Sequence, residues 1–169
     1  MVLECCMQDR TYLAYYGHIG QRFCMLNQTY IDLYSQLFAT QYELVHRLEQ
    51  AKLRNLACFF AHMFYTGALD WKVLGCIILT EEMTTASSRI FVKILMQEMA
   101  NNMGISVFAK KMEETQVESL FPTDSVENAR FSINFFTSIG LGAVTEGLRE
   151  FLKDAPKLLL QKKFNDLLT

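Results

Sequence analysis

Residues 55–69, NLACFFAHMFYTGAL, form a stretch of fifteen positions without a single Asp, Glu, Lys or Arg. Large apolar side chains occur at both adjacent and helically spaced positions: Phe59, Phe60, Met63, Phe64 and Tyr65. A helix that is apolar on more than one side is buried between neighbours rather than laid on a surface. The stretch therefore predicts a helix sandwiched between neighbours in a stacked array, more than a simple bundle.

The sequence on either side shows apolar residues at one-sided helical spacing. Three stripes follow this pattern: Tyr34, Leu37, Phe38, Tyr42, Val45 and Leu48; Phe91, Ile94, Leu95, Met99 and Met103; and Val144, Leu148, Phe151 and Leu152. Gly104 suits a helix end, Asp70 and either Asp124 or Ser125 suit helix starts, and Pro156 is expected to separate the third stripe from a last short segment. No segment alternates as a strand would. We predict an all-α fold of about eight or nine helices, stacked as hairpins.

Composition excludes several classes of protein. The 169 residues are 51% hydrophobic and 20% charged with only two prolines, which is unlike a disordered or collagen-like chain. A net charge of −2 argues against a dedicated polyanion binder. No uncharged stretch reaches the roughly 20 residues of a membrane span, and acidic residues near Met1 make a secretory signal unexpected, so we expect a soluble protein. Five cysteines without a CxxC pair indicate reduced thiols.

The motifs that could carry catalysis or bind a metal are incomplete. Cys58 and His62 are one helical turn apart, but a structural zinc requires two further ligands with suitable spacing. Glu81 and Glu82 are adjacent, so on a helix their side chains point apart, which is poor geometry for paired acid–base catalysis. Residues 140–142 match neither a dinucleotide-binding motif nor a phosphate-binding loop. We predict no catalytic residue, cofactor or metal. A site assembled from distant residues is the remaining enzymatic alternative.

The apolar excess points to contact surfaces. Nine methionines, 12% aromatic residues and a mean hydropathy of +0.11 are high for a small chain, which is typical of an interaction module or of a face that another domain covers. Tyrosines beside arginines near the start could stack on single-stranded RNA, although tyrosine at helical spacing more often serves packing. An RNA-binding module therefore remains an alternative.

Several strings carry a resemblance to a known family. They are ECCMQDRTY (4–12), YYG (15–17), GQRFC (20–24), KLRN (52–55), TEE (80–82), SSRIF (87–91) and RFSINFFTSIGLG (130–142). Together they resemble the Cwc-twenty-two (nucampholin) family of pre-mRNA-splicing factors, in the region of its MA-3 domain and the helices after it. The similarity extends over nearly the whole chain.

The resemblance implies a HEAT-like array of antiparallel helical hairpins of the MA-3 type. It also implies a non-enzymatic scaffold of the nuclear spliceosome, associated with spliceosome activation and with exon junction complex assembly. The implied partners are core spliceosomal proteins, including the large protein Prp-eight, and RNA near the 5′ exon reached through the complex. The family's grip on an initiation-factor-4A-like helicase lies in a preceding domain that nothing here matches.

The resemblance also suggests a division of the chain. Residues 1–120 would be an MA-3 domain lacking its first pair of helices, and 121–169 a C-terminal helical extension packed on it. We expect the missing pair to expose a face around Leu3, Cys6, Leu13 and Tyr16.

Candidate partner contacts come from the matching strings. They are Arg10, Tyr12, Arg22, Arg54 and Arg89, chosen because arginine and aromatic side chains dominate contact patches and arginine is rarely buried without purpose. The alternative is that each arginine pairs with a nearby acid inside the array. A second functional hypothesis is a translational regulator, since MA-3 domains in the programmed-cell-death-four protein and in initiation factor 4G bind the 4A helicase.

Overall fold

The fold is entirely helical, as the spacing of apolar residues predicts. A computed structural model describes residues 1–169 and contains eight α-helices and no strand. The helices are α1 (Val2–Gln8), α2 (Ala14–Leu26), α3 (Gln28–Leu44), α4 (Gln50–Tyr65), α5 (Ala86–Met103), α6 (Ile105–Thr115), α7 (Val126–Ser138) and α8 (Glu146–Leu168). Short 3₁₀ helices lie between some of them, at Val45–Arg47, Trp71–Cys76, Glu118–Leu120 and Gly142–Thr145.

Helix α4 is the centre of the array. Every residue from Asn55 to Phe64 is buried, and α4 packs against α1, α2 and α5. Phe38 of α3 contacts Phe60 and Phe64 edge to face, with ring centroids 5.0 and 5.2 Å apart. Such aromatic pairs add to the free energy gained from burial alone. The prediction of a helix sandwiched between neighbours is confirmed.

Side-chain caps and a glycine define several of the helix ends. The N–H of Thr29 donates to Asn27 at the start of α3, and the N–H of Asn128 donates to Ser125 at the start of α7. Gly104 ends α5 with a φ of 86°, a conformation that costs glycine little. Helices α1, α2, α4, α6 and α8 have no side-chain cap at the N-terminus, and for α4 the uncapped N-cap residue is Glu49.

The expected break at Pro156 is wrong. Helix α8 runs through this residue to Leu168, and Leu148 and Ala155 are its only buried residues. Proline lacks one N–H, but its fixed φ fits a helix, so the chain continues at the expense of one hydrogen bond. Residues 157–169 are all exposed.

The prediction of an exposed face around Leu3, Cys6, Leu13 and Tyr16 is also wrong for three of these four residues. Leu3, Cys6 and Tyr16 are buried, and only Leu13 is exposed, at 41%. The reason is that α1 packs directly on α4 and buries its apolar side. Exposed apolar side chains lie instead along α2 and the start of α3: Tyr15, Ile19, Met25, Leu26, Tyr30 and Leu33.

One hydrophobic core crosses the suggested domain boundary. The main cluster of 32 buried residues joins α1–α6 to Phe136 of α7 and to Leu141. A smaller cluster of Ala129, Ile133 and Leu148 lies beneath α8. The division at residue 120 stays a prediction. All five cysteines are unpaired, and none of the helices combines the length and apolar character that crossing a membrane requires.

Candidate functional site

A groove of about 720 Å³ is bounded by the link between α1 and α2, by α4 and by α5. Helix α5 contributes Ile90, Ile94 and Glu98, which share one face because they are four residues apart. Helix α4 contributes Arg54, and the link contributes Arg10 and Tyr12. We call this feature the arginine groove and define it by Arg10, Tyr12, Arg54, Ile90, Ile94 and Glu98.

Three of the five candidate contact residues therefore meet in one place. Arg10 and Arg54 are exposed, and neither guanidinium group has a hydrogen-bond or ion-pair partner within the chain. The chain forms a single ion pair, between Lys110 and Glu114 at 4.0 Å. The alternative in which each candidate arginine pairs with an internal acid is thus wrong.

Tyr12 has a different character from the two arginines. Its ring is half-buried, and its hydroxyl is buried without a hydrogen-bond partner. The hydroxyl lies close to the backbone of Gly17, since a Cβ placed there would be 2.6 Å from it. Burial raises the pKa of Tyr12, so the side chain is neutral. The part of Tyr12 that lines the groove is therefore its ring and not its buried hydroxyl.

Arg22 lies away from the groove, on the outer face of α2. It borders a shallow hollow of about 450 Å³ together with Tyr15, Ile19, Phe23 and Leu26. The hollow is apolar, and Arg22 is exposed at its side. The structure does not bring Arg22 together with the other candidates.

Arg89 is held within the fold. Its Nε donates to Thr84 Oγ1 at 2.9 Å, and a terminal nitrogen donates to the Glu81 carbonyl at 3.1 Å. The guanidinium carbon lies 5.0 Å from the centre of the Phe131 ring, within the range of a cation–π contact. Arg89 therefore joins the segment before α5 to α5 itself and to α7, which is a structural role.

Sequence reasoning missed the α5 wall of the groove. Glu98 and Arg54 both lie close enough to Cys58 to act on its thiol: burial and the Glu98 carboxylate raise the Cys58 pKa to about 11, against an opposing effect of Arg54. The four-residue spacing of Ile90, Ile94 and Glu98 is visible in the sequence. Its position opposite Arg54 depends on tertiary packing, for which no local signal exists.

The groove suits binding more than proton transfer. It offers two guanidinium groups, one carboxylate and two isoleucine side chains, and the Cys58 thiol is protonated at neutral pH. His62 is buried elsewhere in the core, where burial and the neighbouring His18 lower its pKa to about 4. No cluster of three or more His, Cys, Asp or Glu residues is placed to hold a metal ion.

Comparison with known proteins gives a consistent family. Residues 1–70 match the MA3 domain family. The pre-mRNA-splicing factor CWC22 of Mycosarcoma maydis is 48% identical to the chain over 167 residues, which cover 96% of this chain and 19% of that protein. The chain is homologous to the CWC22 splicing factors. The CWC22 homolog of Gallus gallus is 49% identical over 167 residues, covering 96% of this chain and 18% of the relative.

A third CWC22 relative extends the pattern. The cwc22 protein of Emericella nidulans is 52% identical over 161 residues, covering 93% of this chain and 18% of the relative. The chain thus spans less than a fifth of the length of these CWC22 proteins. Arg10, Tyr12 and Arg54 lie inside the MA3 match, whereas Ile90 and Glu98 follow it. The arginine groove is therefore shared between the matched MA3 residues and the helix after them.

Proposed function

We propose that this chain is a non-catalytic docking module of the nuclear spliceosome, acting in pre-mRNA splicing. The observation that carries the proposal is the 48–52% identity to proteins named as CWC22 splicing factors along 93–96% of the chain. The all-helical fold agrees with a scaffold. Because the chain spans less than a fifth of those relatives, the proposal concerns this segment.

The partners follow from the family resemblance. We expect core spliceosomal proteins, including Prp-eight, and RNA near the 5′ exon reached through the complex. Exon junction complex assembly would involve the family as a whole, with helicase binding outside this chain. Within the chain, residues 1–120 would form the MA-3 unit and 121–169 an extension that completes its core.

We assign the docking contact to the arginine groove. Its arginines are free of internal partners, and arginine and aromatic residues dominate binding energy in protein interfaces. A charge-assisted hydrogen bond contributes roughly 1.5–3 kcal/mol, and about 1.4 kcal/mol corresponds to tenfold in affinity. Loss of both guanidinium groups should therefore weaken docking by more than about tenfold.

The test is affinity purification of the tagged chain from nuclear extract, with mass spectrometry of the recovered proteins. Three proteins are compared: the wild type, the double variant Arg10→Ala/Arg54→Ala, and Arg130→Ala as a control. Arg130 is an exposed arginine on α7 whose side chain forms no hydrogen bond or ion pair within the chain. Circular dichroism verifies that all three retain the same helicity.

We expect core spliceosomal proteins with the wild type and the control, and a strong loss with the double variant. Equal recovery with the double variant would remove the groove from the proposal. Recovery of a 4A-like helicase and translation factors without spliceosomal proteins would contradict the proposed function and support the translational alternative. The relatives' names do not favour that alternative, since each is a splicing factor.

A further inference from the structure

The charges that line the arginine groove are unbalanced. Arg10 and Arg54 are exposed and have no partner, whereas Glu98 is the one carboxylate among the lining residues. Glu98 forms no ion pair with either arginine. Two planar guanidinium groups that remain free in the folded chain can each bind a carboxylate through two parallel hydrogen bonds.

The start of α4 adds to the positive potential of the groove. Gln50 and Ala51, the first two residues of this helix, line the groove. The first N–H groups of a helix have no partner within the helix, and the aligned peptide dipoles favour a negative group nearby. The side chain of Glu49 does not cap them. This effect supplements the two arginines and acts in the same direction.

The opposite wall of the groove is apolar. Ile90 is 39% exposed, and Ile94 lies one helical turn further along α5. Neither side chain can bind a phosphate, but both gain free energy when an apolar side chain covers them. A ligand that satisfies both walls has acidic groups on one side and an apolar group on the other.

We propose that the arginine groove binds an acidic peptide segment of a partner protein. Carboxylates of the segment pair with Arg10 and Arg54, and an apolar side chain of the segment packs against Ile90 and Ile94. This inference deepens the proposed function. It rests on that function for the statement that the partner is a spliceosomal protein. A peptide is favoured over an RNA strand because a peptide can place an apolar side chain against Ile90 and Ile94 beside its carboxylates, whereas every unit of an RNA backbone carries a charged phosphate.

The experiment selects binders from a random twelve-residue peptide library displayed on phage, using the immobilised full chain. Enriched peptides are synthesised with a fluorescent label, and their affinity is measured by fluorescence anisotropy. We expect two or more Asp or Glu residues together with an apolar residue in the enriched sequences. Arg10→Ala and Arg54→Ala should each weaken binding about tenfold, while Arg130→Ala should change it less than about twofold.

Glu98→Gln supplies a variant with the opposite sign. Removal of the one carboxylate that lines the groove relieves repulsion of an acidic ligand, so the affinity for the enriched peptide should increase about threefold. Higher salt should weaken binding to the wild type, because exposed charge pairs are screened. A gain of affinity in this variant cannot result from loss of folding.

Four results would overturn the proposal. They are enrichment of peptides without acidic residues, acidic peptides whose affinity survives both arginine substitutions, an absence of any enriched peptide, and a labelled twelve-nucleotide oligouridine that binds more tightly than the peptides and requires Arg10 and Arg54. The proposed function is tested separately from this inference. It fails if the chain binds acidic peptides but recovers no spliceosomal protein from nuclear extract. If the chain recovers spliceosomal proteins but the library yields no acidic peptides, the proposed function is retained and this inference is rejected.

Discussion

At the scale of single residues, Asn55 connects two helices that are far apart in sequence. Its side chain is 1% exposed, and its Nδ2 donates to the carbonyl oxygens of Cys6 at 3.0 Å and Asp9 at 2.8 Å. The Cys6 thiol in turn lies 3.8 Å from the Asn55 carbonyl oxygen. These bonds hold α1 and the following link against α4.

Replacement of this amide should therefore loosen the link that carries Arg10. We expect Asn55→Ala to lower the free energy of unfolding by about 2–3 kcal/mol, because two buried carbonyl groups lose their donor. Urea unfolding followed by circular dichroism measures the change. Asn101→Ala is the control, since Asn101 is exposed on α5 and makes no side-chain hydrogen bond. Similar losses in both variants would contradict this role of Asn55.

His62 is the second residue with its own environment in the core. Its Nε2–H donates to Gln21 Oε1 at 3.0 Å, and the Tyr65 hydroxyl donates to its Nδ1 at 2.9 Å. The His18 ring lies 4.7 Å away in an edge-on contact. This arrangement suits the neutral imidazole, and burial, together with the neighbouring His18, lowers the His62 pKa from 6.5 to about 4.

The lowered pKa of His62 predicts a dependence of stability on pH. Between pH 6.5 and 4 the unfolded chain binds a proton that the folded chain does not, so stability falls as pH falls through this window. We expect a loss of about 1–2 kcal/mol from pH 7.5 to pH 5, measured by urea unfolding. His62→Gln should remove this part of the loss, and His46→Gln, at an exposed position, should retain it. The same pH dependence in all three proteins would exclude His62 as its source.

At the scale of helices, α2 and α4 approach each other closely because α2 has glycine at two contact positions. A Cβ at Gly17 would lie 2.5 Å from His62 Cγ, and one at Gly20 would lie 2.8 Å from Phe59 Cζ. Both neighbours are ring atoms of buried side chains in a packed core, which yield little space. The glycines are therefore required by packing and not by backbone conformation.

Two glycine-to-alanine substitutions should act with opposite sign. Gly17→Ala should lower the free energy of unfolding by about 1–3 kcal/mol through overpacking. Gly147→Ala, in the first turn of α8 with open space around it, should raise it by up to about 0.5 kcal/mol, because alanine loses less backbone entropy in a helix. Thermal or urea unfolding measures both. A stabilising effect at Gly17 would show that α2 and α4 are separated more widely.

Helix boundaries divide into those that local chemistry determines and those that it does not. Gly104 and Ser125 act at helix ends as their side chains and backbone preferences predict. Pro156 does not end α8, because proline weakens a helix without forbidding it. The expected exposure of Leu3 and Cys6 failed for a different reason, since the packing of α1 on α4 involves residues about fifty positions apart. Sequence periodicity gives the buried face of a helix but not its neighbour.

At the scale of the whole molecule, the core ends before the chain does. The side chains that complete the main cluster, Phe136 and Leu141, come from residues after 120, whereas residues 157–169 are exposed. The Gln97 side chain also donates to the Ile139 carbonyl at 3.1 Å, which joins α5 to the end of α7. The two parts of the chain that follow residue 120 therefore contribute unequally to stability.

Two truncations should separate these contributions. The fragment 1–156 should unfold within about 0.5 kcal/mol of the whole chain while losing helical signal, since only exposed residues are removed. The fragment 1–120 should lose about 3 kcal/mol or more, because buried Phe136 and its neighbours are absent. Urea unfolding of the three lengths measures the differences. A fragment 1–120 as stable as the whole chain would favour an independent MA-3 unit ending there.

The arginine groove exists only at this largest scale. The sequence predicted Arg10, Tyr12 and Arg54 as contacts because they lie in strings shared with a family, and the structure places these three together. The sequence could not distinguish these three residues from Arg89, whose guanidinium group donates a hydrogen bond to Thr84 and lies over the ring of Phe131. Whether an arginine is free depends on which groups the fold places around it. No motif records that arrangement.

The groove is assembled from residues 10–12, 50–58 and 90–98, so an unfolded chain has no such site. Mass action then links occupancy to folding: a ligand present at 100 times its dissociation constant would add about 2.7 kcal/mol to the stability of the folded state. A bound ligand contacts the link between α1 and α2, helix α4 and helix α5 at the same time. It would therefore oppose the separation of these three parts of the chain. The increase in the midpoint temperature of unfolding on addition of ligand therefore measures occupancy of the arginine groove.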